Sequence, residues 1–571
     1  SISMRSSPEM EVRQNDPLRE TKFLFIGFLT AFLLGLGLRL LQLGEMRFTL
    51  VEARLAQSSW QMAGGIAPGL TGNLSYAGLS AVLFRLFEPS PFFARLVPVL
   101  VGSSLILLPW YWREKLGGKT ALILAFGLAF DPLLFNFSRQ ILTPVFVLAG
   151  LGWTLVGLKQ KKPLLAGSSF ALAFLGGYGF WAAALIAAAA LAIWRGKSKD
   201  RCPWQRCLTK AHALRFLVGL LSSLLLIGSG FLLCPNALGG IGAGIVDFAR
   251  LFTARYEFPV YQPMMIAIAY SLLPLGFAVW RLIENLRQNQ PLRNLPFLAG
   301  WGGCLLLTLL LGRQDLGLLA FAAVFAWLAG VGGIADVFRK PSGKKEIIWG
   351  VRLFQIVILV YIFMAAGRLV NLTAGSAEYR VSIFALAAGF LLFVISILLA
   401  GLGWSRVVSE EALQGSLLVF LLVVSLAINL RGIHSNQESA TLSILAGPIV
   451  LPNDDVRSVV DEIDRNGRAD KTEITYDLGD LDSGFAWFFR KQAGWKGTAV
   501  SPQADLALSV NEAEFSAVDA YRGRNVVLYR SLDRRALKPG DFWELLLGEP
   551  LPLVSQQGVL WTRSDLFIGA N

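Results

Sequence analysis

Residues 381–402 read VSIFALAAGFLLFVISILLAGL, an apolar stretch without a single charged side chain. About 20 residues of this kind form a helix long enough to cross the hydrocarbon core of a bilayer. Comparable runs occupy residues 23–43, 96–112, 216–234 and 348–370. The stretch predicts a membrane-spanning helix, and its repetition along the chain predicts a polytopic membrane protein.

The composition agrees with a chain that has lipid as its main solvent. Of its 571 residues, 54% are hydrophobic and 16% are charged, whereas soluble proteins carry about 25% charged residues. The apolar runs predict about 13 transmembrane helices. These spans are predicted near residues 22–43, 93–112, 120–135, 140–158, 163–178, 179–194, 214–234, 263–283, 295–312, 316–337, 348–370, 381–402 and 413–430.

The positive charges indicate how the chain is oriented. Lys and Arg collect in alternate connections, at residues 113–119, 159–162, 195–215, 281–293 and 339–345 and around Arg406. Cytoplasmic loops of membrane proteins carry such an excess. We therefore expect a plasma-membrane protein with a cytoplasmic N-terminal tail at residues 1–21. An odd number of spans then puts the C-terminal region on the outer side.

The formal net charge of +13 does not indicate nucleic-acid binding. A nucleic-acid site needs the basic residues on one face or in one patch, and here they are divided among the loops. Cys202 and Cys207 with His212 make a poor zinc signature, so no metal site is predicted.

Three regions are predicted along the chain. The transmembrane domain covers residues 22–431 and includes long external loops at 44–92 and 235–262. In the first loop, residues 50–62 and 76–87 have the pattern of amphipathic helices that lie in the membrane interface. Residues 440–571 are less apolar and alternate between strand and helix patterns, which predicts an exported soluble α/β domain.

Ordered motifs in the first third of the chain carry a family resemblance. They are FTLVEARLA at residues 48–56, FFARLVP at 92–98, and Asp131-Pro132 followed by Phe137-Ser138-Arg139. Together they resemble the GT-C membrane glycosyltransferases, in particular the protein O-mannosyltransferase and aminoarabinose-transferase branch, family 39. The segment WFFR at 487–490 is similar to one in the exported domain of GT-C-like proteins associated with flippase activity.

The resemblance implies transfer of a sugar from a polyprenyl-phosphate donor to a protein or lipid acceptor at the outer face. Such a transfer needs a carboxylate as general base and a cation that holds the leaving phosphate. The candidate bases are Glu52 and Glu45. The candidates for binding the donor phosphate or the substrate are Arg139, Arg313, Arg255, Glu257 and Asp131.

The sequence departs from the resembling family at two positions. Two aspartates of the family align with Val51 and Thr143, and the valine side chain cannot accept a proton. This departure supports a second hypothesis, a catalytically silent GT-C-like scaffold within a larger membrane or envelope complex. A transporter or flippase is a third and weaker hypothesis, because no inverted repeat is visible.

Each candidate also has a purely structural interpretation. Glu52 could pair with Arg47 or Arg54, and Arg139 could extend to lipid headgroups. Asp131, directly before Pro132, could only end a helix. The Arg313 segment could be a tight turn.

Overall fold

The computed structural model describes fifteen segments of the chain. They are residues 17–69, 72–197, 210–253, 261–292, 294–311, 316–338, 345–370, 372, 375–434, 449–450, 474–478, 482–490, 506–510, 521–533 and 553–563.

Most of the described chain is helical. In chain order the helices are α1 (Pro17–Leu40), α2 (Leu50–Ala63), α3 (Leu74–Leu86), α4 (Pro91–Ser104), α5 (Leu108–Leu116), α6 (Gly118–Phe130), α7 (Pro132–Arg139), α8 (Thr143–Lys159), α9 (Pro163–Phe174), α10 (Tyr178–Lys197), α11 (Lys210–Gly228), α12 (Ala243–Thr253), α13 (Tyr261–Tyr270), α14 (Leu272–Arg287), α15 (Leu295–Leu310), α16 (Leu319–Val337), α17 (Lys345–Val370), α18 (Ala377–Gly403), α19 (Arg406–His434) and α20 (Asp482–Phe488).

The polytopic membrane fold is confirmed. Among the described residues, 7 helices are long and apolar enough to cross a membrane, and up to 10 are if each bent helix pair counts as one span. The predicted spans at 140–158 and 295–312 correspond to the shorter apolar helices α8 and α15, which have 17 and 16 residues. Hydropathy reports apolar length and does not reveal where a helix breaks.

The three bent pairs show where the breaks occur. Helices α6 and α7 meet at 52°, α9 and α10 at 113°, and α13 and α14 at 85°. Pro132 begins α7, and a proline is favourable in a first helical turn but not in a helix interior. Gly177 has a φ of +81° directly before α10, a conformation that side chains with a Cβ rarely adopt. The two spans predicted at 163–178 and 179–194 are therefore one sharply bent pair.

Helix α16 lies at the centre of the largest apolar core. Its Leu319 and Trp327 are buried in a cluster with Leu133 of α7, Phe277 of α14 and Ile428 of α19. Helices α17 and α18, by contrast, bury only 17% of their apolar windows inside the protein. Such surfaces are costly in water but not in lipid, so these two helices provide lipid-facing surface.

Both amphipathic helices predicted in the first long loop are present, as α2 and α3. A reciprocal cap starts α2: Thr49 Oγ1 accepts from the Glu52 backbone N–H, and the Glu52 carboxylate accepts from the Thr49 backbone N–H. Asn73 caps α3 by accepting from the N–H of Tyr76. Tyr76 and Ala53 belong to a second buried cluster, which joins the two helices to the bundle.

The C-terminal region contains a five-stranded sheet with α20 beside it. Its strands are β1 (Ile449–Val450), β2 (Ile474–Asp477), β3 (Leu506–Ser509), β4 (Tyr521–Leu532) and β5 (Leu553–Arg563), in the spatial order β1-β4-β5-β3-β2. Strands β2 and β3 are parallel, and the other neighbouring pairs are antiparallel. The prediction of a mixed helix-and-sheet domain is thus confirmed in outline. Residues 498–500, which also have the sequence pattern of a strand, lie outside the described residues.

Candidate functional site

Glu52 and Arg95 form a completely buried ion pair. Arg95 of α4 donates from Nε to Oε1 of Glu52 at 2.8 Å and from Nη2 to Oε2 at 2.9 Å. Two parallel bonds between guanidinium and carboxylate combine charge with fixed geometry. The sequence had suggested Arg47 or Arg54 as the partner of Glu52, and the structure supplies Arg95 from a different helix.

The Glu52 carboxylate connects three segments of the chain. Besides the bonds from Arg95, Oε2 accepts from the backbone N–H of Thr49 at 3.0 Å, and Oε1 accepts from the backbone N–H of Ile141 at 3.2 Å. Ile141 lies in the short linker between α7 and α8. The start of α2, helix α4 and this linker are therefore held together through one side chain.

Arg95 uses its remaining donors on the residues that lead into α2. Nη1 donates to the carbonyl oxygens of Met46 at 2.7 Å and Leu43 at 3.3 Å, and Nη2 donates to that of Arg47 at 2.8 Å. The guanidinium also lies 4.4 Å from the ring centroid of Phe48, close enough for a cation–π interaction. The connection between α1 and α2 is thus fastened to α4 by one arginine.

These bonds determine what Glu52 can do chemically. A carboxylate offers about four lone-pair positions, and all of them are taken up by protein donors. A general base must reach the proton that it abstracts, whereas Glu52 is 0% exposed. The geometry fits a residue that positions other segments and does not contact the reactants itself.

The two positions at which the sequence departs from the family that it resembles differ in exposure. The Val51 side chain is 40% exposed, although its neighbour Glu52 is buried. Thr143, at the start of α8, is 9% exposed. The side chain at position 51 thus faces away from the ion pair. This accessible side chain is a valine.

A second buried polar cluster joins α1 to α6 and α7. Arg39 donates from Nε to Oγ of Ser138 at 2.7 Å, from Nη1 to the carbonyl oxygen of Ala129 at 3.0 Å, and from Nη2 to that of Leu128 at 3.2 Å. These two carbonyls lie at the last turn of α6, where the bend to α7 removes their helical donors. Arg39 therefore stabilises the bend.

Asp131 occupies the bend itself and is 0% exposed. Its Oδ1 accepts from the backbone N–H of Leu134 at 2.9 Å, and its Oδ2 accepts from Nε1 of Trp327 at 2.8 Å. Asp131 caps α7 and ties the bend to α16. These contacts agree with the structural interpretation of Asp131, a helix break before Pro132.

Arg139 is 1% exposed and donates from Nη2 to the carbonyl oxygen of Leu41 at 2.8 Å. Its guanidinium lies inside the protein and does not extend to headgroups. Glu45, in contrast, has an exposed side chain, in a turn whose backbone bonds to Gln42. Arg313, Arg255 and Glu257 lie outside the described residues, so their proposed roles stay predictions.

Sequence reasoning did not select Arg39 or Arg95 as site residues. Both are completely or almost completely buried and make four or more hydrogen bonds each. A signal was present, because an arginine inside or next to an apolar run is costly unless it is paired. That signal does not say which carbonyls or carboxylates are the partners.

The C-terminal region contacts the bundle at α2 and α3. Trp487 of α20 is buried against the rings of Phe48 and Phe84, with centroid distances of 5.7 and 5.5 Å. Arg490 lies 3.8 Å above the Trp487 ring and donates to the carbonyl oxygen of Pro89. The WFFR segment is therefore the docking element that fixes this region on the loop between α1 and α4.

Comparison with solved structures identifies the fold. The chain aligns over 96% of its own length and 99% of the other with the crystal structure of ArnT from Cupriavidus metallidurans bound to undecaprenyl phosphate, at 13% identity and a TM-score of 0.56. The chain has an ArnT-like fold. The apo structure of the same ArnT gives the same coverage and TM-score at 12% identity.

The arabinosyltransferase EmbB from Mycobacterium smegmatis is a more distant match. Its cryo-EM structure has a TM-score of 0.40 and 14% identity over 78% of this chain and 46% of that chain. No family model and no curated protein matches the chain.

Proposed function

We propose that this protein binds a polyprenyl phosphate that carries a sugar, and transfers the sugar to a protein or lipid acceptor at the outer face of the plasma membrane. The observation that carries the proposal is the ArnT-like fold over almost the whole chain. The crystal structure of that ArnT has undecaprenyl phosphate bound. The motifs at residues 48–56 and 92–98 independently support the same family of reactions.

The buried ion pair supports the proposal through its location. Glu52 and Arg95 hold the α1–α2 connection, the start of α2 and the α7–α8 linker in one fixed arrangement. Transfer between two substrates requires segments from several helices to keep their relative positions within a fraction of an ångström. A hydrogen-bonded ion pair in a dry environment provides that rigidity.

A second candidate is a binding subunit without catalytic activity. The specific observation in its favour is that Val51 lies at the accessible position while the adjacent carboxylate of Glu52 is engaged in the ion pair. Such a subunit would keep the fold and the lipid site and act as a scaffold in a membrane complex. It would bind polyprenyl phosphate without turning over the donor.

The experiment that separates the two candidates uses the full chain reconstituted in liposomes. Undecaprenyl phosphate binding is measured by native mass spectrometry in competition with phosphatidylglycerol. Turnover is measured as release of undecaprenyl phosphate from undecaprenyl-phosphate-linked mannose, glucose and aminoarabinose, with membrane extract as the source of acceptor. We expect selective binding and release from one of the donors.

Selective binding without release from any donor would overturn the transferase and support the scaffold. Failure to bind undecaprenyl phosphate in preference to phosphatidylglycerol would remove both candidates. The matched control is Glu410→Gln, because Glu410 is an exposed partner of Arg406 and its loss should leave binding and release unchanged.

A further inference from the structure

Three carboxylates described above are poorly suited to accept a proton from a bound substrate. Glu52 is saturated by hydrogen bonds, and Asp131 is completely buried and caps α7. Glu45 has an exposed side chain in a turn. Asp247, which was not among the sequence candidates, lies on α12 with 35% of its side chain exposed. It is therefore partly desolvated and still reachable.

Asp247 meets the rest of the bundle at a junction of close backbone contacts. A methyl group on Gly72 would overlap Oδ2 of Asp247, and a methyl group on Gly177 would overlap the carbonyl oxygen of Gly72. That methyl carbon on Gly177 would lie 3.3 Å from Cγ2 of Thr143. The carboxylate of Asp247 thus lies near the start of α8, separated from Thr143 by the backbone of two glycines.

Two buried amide side chains flank this junction in the sequence. Gln140 is 1% exposed, and neither its Oε1 nor its Nε2 has a hydrogen-bond partner. Asn73, which follows Gly72, is 1% exposed, and its Nδ2 also has no partner. Buried polar atoms in proteins nearly always have one. The unused amide of Asn73, next to the residue that contacts Asp247, is suited to a hydroxyl group of a sugar.

The local electrostatics favour Asp247 as a proton acceptor. Partial burial raises the pKa of the Asp247 carboxyl above its ordinary value, and Arg250 opposes that shift. Oδ1 of Asp247 and Nη1 of Arg250 are 3.8 Å apart, and the arginine side chain is 73% exposed. A carboxylate with a raised pKa is the stronger base, and an exposed arginine can move away from it at little cost.

We propose that Asp247 is the carboxylate that takes the proton from the acceptor during sugar transfer, and that the side-chain amide of Asn73, next to Gly72, binds a hydroxyl group of the sugar. This inference rests on the transferase function proposed above. The acceptor oxygen forms a bond to the anomeric carbon while the bond from that carbon to the phosphate oxygen breaks. The electron pair of the broken bond leaves with polyprenyl phosphate. The acceptor proton moves to Asp247 and then to water.

The test compares Asp247→Asn with Asp247→Glu and with Glu88→Gln, all in the full chain in liposomes. Glu88 is an exposed carboxylate in the connection between α3 and α4, so its amide variant controls for loss of one negative charge. Release of undecaprenyl phosphate from the donor that the unmodified protein uses is measured with and without acceptor. Donor binding is measured by native mass spectrometry.

We expect Asp247→Asn to lower the release rate by about 10²–10⁴-fold, the usual contribution of a general base, with donor binding retained. Asp247→Glu should keep part of the activity, and Glu88→Gln all of it. If Asp247→Asn turns over as fast as Glu88→Gln, Asp247 is not the base, although the transferase function stands. If the unmodified chain releases nothing from any donor, both proposals fail together.

Discussion

Replacing Glu52 by Gln removes one charge from the buried ion pair with almost no change of shape. Arg95 then keeps its bonds to the backbone of residues 43–47 but has no counter-charge in a site that is 0% exposed. Breaking a buried pair by removing one partner costs about 3–5 kcal/mol, because the remaining charge is left uncompensated. We expect the Glu52→Gln protein to lose that much stability.

The magnitude is best measured in a double-mutant cycle with Arg95→Met. Each single variant leaves a buried group without its partner, and the double variant removes both charges. The free energy of unfolding is obtained by SDS titration of the protein in mixed micelles. The double variant should be less destabilised than the sum of the singles, with a coupling energy of up to about 3 kcal/mol.

The exposed pair Arg406–Glu410 is the matched control for this cycle. Its Nε–Oε1 distance of 3.0 Å is close to that of the buried pair, but its side chains are 78% and 47% exposed. An exposed helical pair of this type contributes about 0.3–0.5 kcal/mol. Equal costs for Glu52→Gln and Glu410→Gln, or strict additivity in the buried cycle, would refute the assignment of the buried pair as a structural fastening.

Three further predictions concern the docking contact, the glycine junction and the orientation. Trp487→Ala should speed limited proteolysis of the C-terminal region, because burial of a core aromatic contributes about 3–5 kcal/mol; Trp404→Ala, at a residue that is 56% exposed, should not. Gly177→Ala should destabilise the protein in the same SDS titration more than Gly375→Ala, because both glycines have positive φ but only the first would overlap another backbone; equal losses would mean that the close contact is unimportant. A single cysteine at Val554, in a chain without other cysteines, should react with an impermeant maleimide in right-side-out vesicles; reaction only after the vesicles are opened would reverse the proposed orientation.

The membrane class followed from the sequence because apolar length is a local property. Residues 381–402 predicted a helix, and α18 covers them. The bends at Asp131 and Gly177 did not follow, because a bend depends on tertiary contacts such as those of Arg39 with the end of α6. A local pattern cannot include a partner that lies about ninety residues away along the chain.

The sequence also predicted only some of the residues of the candidate site. The sequence selected Glu52 as a residue of interest, and the structure shows it at the centre of a hydrogen-bonded cluster. Its partner Arg95 was visible only as part of a motif, since nothing in the sequence indicates that a guanidinium in α4 reaches the carbonyls before α2. Asp247 was hidden for the same reason, because its neighbours at Gly72 and Gly177 come from distant segments.

The Glu52–Arg95 pair also bears on how the protein is made. The hydrogen-bond partners described above for these two side chains all lie between residues 43 and 141. The pair can therefore assemble as soon as the first quarter of the chain has entered the membrane, while the ribosome is still synthesising the later helices. Trp487 is synthesised long afterwards. Phe48 and Phe84 therefore have no contact with it until the C-terminal region has been translated. In a chain that stops before that point, both phenylalanine rings would lack this contact. Their exposed apolar surface is a feature by which membrane quality control could recognise an unfinished molecule.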